Sequence, residues 1–149
     1  MFKHVLVPTD GSPLSLRAAK TAVELARVHD ARITAIHVMA PYVLPAAPDG
    51  MMFYPESFSP EEYRKAVAKQ ADKALAKVKA AAEAGGVAFS SIAVTHEQPW
   101  QAIIDAAKDR RCDVVVMASH GRRGIAGFLI GSETTKVLTH SKVPVLVCR

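Results

Sequence analysis

The residue types best suited to chemistry are concentrated between Val114 and Leu138, in "VVVMASHGRRGIAGFLIGSETTKVL". His120, Gly121, Arg122, Arg123, Gly124, Gly127 and Gly131 lie between an apolar run and a helical stretch. A glycine-rich basic loop in that position is either a flexible connection or a cradle for an anion such as phosphate. The phosphate reading rests on "IGSE". Gly131 and Ser132 immediately precede or begin a helix, whose first backbone N–H groups lack internal partners and whose dipole favours negative charge. Glycine lets an oxygen approach the backbone with no Cβ in the way. The Ser132 hydroxyl either donates to a phosphate oxygen or caps the helix. Arg122 and Arg123 either add charge-assisted hydrogen bonds or sit in solvent, while Gly124 and Gly127 serve loop shape.

A second loop, "PTDGS" from Pro8 to Ser12, has complementary chemistry. Asp10 offers a carboxylate of the kind that holds ribose hydroxyls in dinucleotide folds, and it also suits an Asx-turn over Ser12. His120 titrates near neutrality and so suits acid–base work. No paired nucleophile accompanies it, and a role in positioning the loop backbone is the simpler reading. The best-known phosphate motifs are absent. There is no GxxxxGK[ST], hence no Walker lysine, and no GxGxxG.

These loops need elements to hold them. "HVLVP" (His4 to Pro8) reads as a buried strand, and Ser12 with Pro13 starts a helix that runs from Leu14 to Val28. "RITAIHVMA" (Arg32 to Ala40) is a second strand. Pro41 to Ser59, with Pro45, Pro48, Pro55 and the apolar Met51 to Tyr54, reads as an irregular loop that packs on a partner or a ligand. Ser59, Pro60 and Glu62 start a long helix that ends at Ala84 before Gly85 and Gly86. Its lysines from Lys65 to Lys79 read as a solvated face. A third strand falls within Val87 to Glu97. A helix from Pro99 turns Ile103, Ile104 and Ala107 inward, and Trp100 fills a core gap beneath it. Asp113 to Ser119 is the fourth strand, Ser132 to His140 a helix, and "KVPVLVCR" a fifth strand that Pro144 allows at an edge. Strands alternating with helices predict right-handed parallel crossovers with helices on both faces of one sheet. In such sheets ligands bind beyond the strands' carboxyl ends, where strand order reverses. If strands one and four are neighbours, the two loops meet there.

The 149 residues suit one domain, 1–149, large enough to need no disulfide or metal. The net charge of +5 mildly favours anionic partners. One tryptophan provides no stacking platform for single strands, and nucleic acid ranks last among such partners. Cys112 and Cys148 form no CxxC pair and read as two buried thiols in a reducing compartment. No apolar run is long enough to span a membrane and no cleavable leader is visible, so a cytoplasmic protein is expected.

Taken together, "HVLVPTDGS", "ITAIHV", "DVVVMASHGRRG", "LIGSETTKVL" and "VPVLV" resemble the universal stress protein family over essentially the whole chain. The family's ATP-binding branch carries G-x2-G-x9-G-[ST]. Here the frame reads Ala118, Ser119, His120, Gly121, nine residues, Gly131, Ser132. The spacing is intact, but Ala118 replaces the first glycine, adding a methyl group and disfavouring positive φ. Glu97 also stands where relatives often have glycine, placing a negative charge near the mouth of the sheet.

The resemblance implies an α/β, adenine nucleotide alpha hydrolase-like fold, an open five-stranded parallel sheet in the order 3-2-1-4-5. It implies binding of ATP, ADP or AMP in the crevice. Pro8, Thr9 and Asp10 would line adenine and ribose, and Val38 would contact adenine. Met117 and Ala118 would line the site, and Gly121, Gly131, Ser132 and the Glu133 backbone would hold phosphates. It further implies a homodimer through the fifth strands and a stress-response role exercised through an unknown regulatory protein partner. Mg²⁺ or Mn²⁺ would accompany the triphosphate without a dedicated protein cage. With no Walker lysine and no evident general base, any ATP hydrolysis would be slow. The rival readings are a nucleotide-free interaction module of the same fold, for which Ala118 is the best support, and a slow ATP hydrolase using His120.

Overall fold

A computed structural model describes residues 1–43, 59–120 and 130–149. Gly121, Arg122, Arg123, Gly124 and Gly127, and the loop residues Pro45, Pro48, Met51 to Tyr54 and Pro55, lie outside the described residues. The elements alternate as β1 (His4–Pro8), α1 (Pro13–His29), β2 (Arg32–Met39), α2 (Pro60–Ala84), β3 (Phe89–Thr95), α3 (Pro99–Asp109), β4 (Val114–Ala118), α4 (Ser132–His140) and β5 (Val145–Cys148).

The five strands form one parallel sheet in the order β3-β2-β1-β4-β5. Side chains alternate across it. Val5, Val7, Ile33, Ala35, Val114 and Val116 face α1 and α2, where Ala19, Ala22, Val78 and Ala82 complete one core. Leu6, Ile36, Val115 and Met117 face the other way, onto Ile103 and Ala107 of α3 and Val137 of α4. Small residues on the inward stripes of α1 and α2 let both helices lie close to the strands. Ile104, expected inside, is only half-buried; Ala102, Ile103, Ala106 and Ala107 form the inward stripe of α3 instead.

The caps follow sequence chemistry. Ser12 accepts the Ser15 N–H at 3.1 Å and Ser59 accepts that of Glu62 at 3.1 Å, each followed by proline. The lysines of α2 are exposed, and Lys65 pairs with Glu61 at 2.7 Å. Lys77 instead reaches across to donate to the Gly11 carbonyl at 2.9 Å. Cys112 is buried, and burial, reinforced by Asp113, pushes its thiol up to about 11. Cys148, expected buried, is only half-buried, because β5 is an edge strand with no sheet neighbour beyond it. Trp100 is also half-buried rather than enclosed, its ring 4.8 Å from that of His140.

At the amino end of the sheet Arg32 donates to His4 Nδ1 at 3.2 Å, so the His4 proton lies on Nε2, which donates to Thr34 Oγ1 at 2.7 Å. Thr34 Oγ1 is in turn 2.8 Å from Ser90 Oγ. Burial, with the neighbouring Arg32 cation, holds His4 below the ordinary histidine range.

Candidate functional site

Strand order reverses between β1 and β4, which pair directly through Val5↔Val114 and Leu6↔Val115. Thr9 and Asp10 after β1 therefore meet His120, Glu133 and Thr134 after β4 at the carboxyl end of the sheet, as the crevice rule requires. A cavity of about 240 Å³ opens there. Its apolar wall comes from Ile36, Val38, Ile103 and Met117, with Pro8 and Ala118 ending their strands beside it.

The β1 side is fixed by a compact hydrogen-bond network. Asp10 Oδ1 accepts the Ser12 N–H at 3.0 Å, the Asx-turn expected from its position. Thr9 is 7% exposed; its N–H donates to the Ile36 carbonyl at 2.9 Å and its hydroxyl lies 3.0 Å from that of Ser15. Gly11 has φ +79°, and a Cβ there would stand 3.1 Å from the Ala74 Cβ, so both conformation and contact call for glycine. His37, buried behind the loop, donates from Nδ1 to the Thr9 carbonyl at 2.8 Å. These bonds hold Asp10 at the cavity wall.

The β4 side is built around the start of α4. Gly131 is the N-cap and Ser132 the first helical residue, and among the described residues no side-chain cap is seen at this helix start. Ser132 is exposed and does not act as the cap. The Gly131 N–H donates to the Ser119 carbonyl at 2.8 Å, and Thr134 donates its hydroxyl to the Ala118 carbonyl at 3.0 Å. Together they clamp α4 onto the end of β4. Ala118 sits in regular strand, paired with Cys148, and is not among the residues with positive φ. The Ala118 methyl group therefore imposes no backbone strain.

Pro8, Thr9, Asp10, Val38, Met117, Ala118 and Glu133 line the cavity together. Gly131 and Ser132 are not among the lining residues; they precede Glu133, which is, at the start of α4. Sequence reasoning missed Ile36, although it lies two residues from Val38 on the same strand face, and Ile103, which the inward stripe of α3 carries to the cavity. It favoured a backbone-positioning role for His120 over acid–base work and did not place it in the binding site, whereas His120 lines the cavity, with Nδ1 3.0 Å from Ser119 Oγ. Among the described residues no three His, Cys, Asp or Glu side chains gather as a metal site. No helix is long and apolar enough to cross a membrane among them either.

A family model described as "Universal stress protein family" matches residues 1–149. The chain belongs to the universal stress protein family. Universal stress protein YxiE of Bacillus subtilis is 33% identical, with the whole of both chains covered. The solved structure of MJ0577, a universal stress protein of Methanocaldococcus jannaschii, superposes with a TM-score of 0.81 at 26% identity, covering 99% of this chain and 96% of that one. A solved universal stress protein in complex with cAMP gives a TM-score of 0.65 at 25% identity, covering 98% of this chain and 95% of that one.

Proposed function

We propose that this chain binds an adenine nucleotide in the crevice between β1 and β4 and acts mainly through that binding. The observation that carries the reading is the composition of one cavity. A slot walled by Ile36, Val38, Ile103 and Met117 fits the faces of a purine, and the Asp10 carboxylate at its edge fits ribose hydroxyls. The start of α4, where Gly131 as N-cap has no side chain to occupy the first N–H groups, suits a phosphate. The cAMP complex of a family relative supports the same assignment. In this reading Pro8, Thr9 and Val38 contact the base, and Met117 and Ala118 form the floor. Gly131, Ser132 and the Glu133 backbone, with Gly121, take phosphate.

The ligand is ATP, ADP or AMP, and a divalent ion such as Mg²⁺ or Mn²⁺ would arrive with a triphosphate rather than in a protein cage. The exposed Leu146 on edge strand β5 supports a homodimer through that strand. The regulatory stress-response role, exercised in the cytoplasm through a protein partner, is the biological reading we attach to such a binder. Protein purified without added nucleotide and then denatured should release adenine nucleotide, identified by chromatography and mass. The absence of both copurified nucleotide and calorimetric heat with AMP, ADP and ATP would favour a nucleotide-free interaction module.

A further inference from the structure

We infer that the Glu133 side chain makes this crevice select against highly charged nucleotides, so that a monophosphate is preferred to a triphosphate. The inference rests on the nucleotide-binding reading above. Glu133 is the second residue of α4 and lines the cavity. Its carboxylate therefore brings a negative charge to a helix end whose dipole favours phosphate. The position is fixed at both oxygens. Oε2 accepts the Trp100 N–H at 2.9 Å, and Oε1 pairs with Lys136 at 3.3 Å.

The first bond has a further consequence. Trp100 lies in the first turn of α3, and the α3 N-cap, Gln98, makes no side-chain cap. Glu133 thus fills a second helix N-terminus that faces the same crevice. An anion binding there would have to displace it. Ligand phosphates beyond the first would meet one negative charge and lose one set of donors. Lys136 offsets part of that charge, and the Glu133 side chain is 38% exposed, so solvent weakens the repulsion. The selectivity is consequently moderate.

The test compares wild type, Glu133→Gln and Glu133→Ala by calorimetry with AMP and ATP in EDTA-containing buffer, after thermal melting has confirmed that each variant is folded. Glutamine keeps an acceptor for the Trp100 N–H and removes the charge. Glu133→Gln is expected to raise the ATP-to-AMP affinity ratio about fivefold, the scale of a partly screened charge–charge contact. Glu133→Ala should raise it at least as far. An unchanged ratio in Glu133→Gln, with AMP still bound, would overturn the inference while leaving the nucleotide reading intact. A ratio that moves only in Glu133→Ala would also overturn it, because the effect would then belong to the lost helix contact and not to charge. Failure of wild type to bind AMP or ATP at all would overturn the nucleotide reading and this inference with it.

Discussion

Gly131 packs so closely on His120 that a Cβ built on it would stand 3.2 Å from both the Cα and the Cβ of His120, and 3.3 Å from the Ser119 carbonyl oxygen. The need for glycine is steric, since Gly131 has φ −61°, which any residue adopts. Gly131→Ala requires the His120 and Ser119 backbone or the start of α4 to give by a few tenths of an ångström. It is expected to destabilise the fold by about 1–3 kcal/mol, the usual cost of overpacking, and to weaken AMP binding. Thermal melting and calorimetry check both effects.

Ala118→Gly tests the departure from the family motif. Ala118 lies in regular strand and its φ is not positive. Glycine there relieves no strain and adds backbone freedom to the unfolded chain. The expected result is a loss of about 0.5–1 kcal/mol in stability, with nucleotide affinity changed by less than about threefold. A large gain in affinity would mean that the alanine methyl obstructs the site.

Asp10 holds two positions at once, the Asx-turn to Ser12 at 3.0 Å and the wall of the cavity. Asp10→Asn preserves an acceptor for the turn but removes the charge. Affinity for AMP should fall about tenfold, the scale of one charge-assisted hydrogen bond, with little change in melting temperature. Equal affinity in the variant would remove ribose recognition from Asp10.

His4 gives the fold a pH dependence far from the crevice. Its folded pKa lies below the unfolded value of 6.5, because burial and Arg32 disfavour the charged form. The unfolded chain therefore binds the proton more readily. The stability contributed by neutral His4 is present above pH 6.5 and is lost as pH falls from 6.5 through the lowered folded pKa. Over that window the loss from this one proton has an upper limit of about 1.4 kcal/mol per pH unit. His4→Gln, which can still donate to Thr34, should flatten that part of the profile when melting is followed from pH 7 to pH 5.

Strand and helix placement were legible in the residues because local signals agreed with the fold, whereas the sheet order came from the family resemblance. Proline stops β1, serine–proline pairs start α1 and α2, and β-branched runs mark the buried strands. The cavity wall was half legible. Pro8, Thr9, Asp10, Val38, Met117, Ala118 and Glu133 follow from the family resemblance, but Ile103 reaches the cavity only once α3 packs on the sheet. The bond from Trp100 to Glu133 was not legible at all. It joins residues 33 apart, and only tertiary packing brings a carboxylate on one helix to the unfinished end of another. Lys77 reaching Gly11 is hidden for the same reason.

Adenine nucleotide binding in the crevice between β1 and β4 is decided by isothermal titration of nucleotide-free protein with AMP, ADP and ATP at physiological salt. Saturable heat with unit stoichiometry per chain, weakened by Asp10→Asn, is the result expected. No heat with any of the three nucleotides would contradict it.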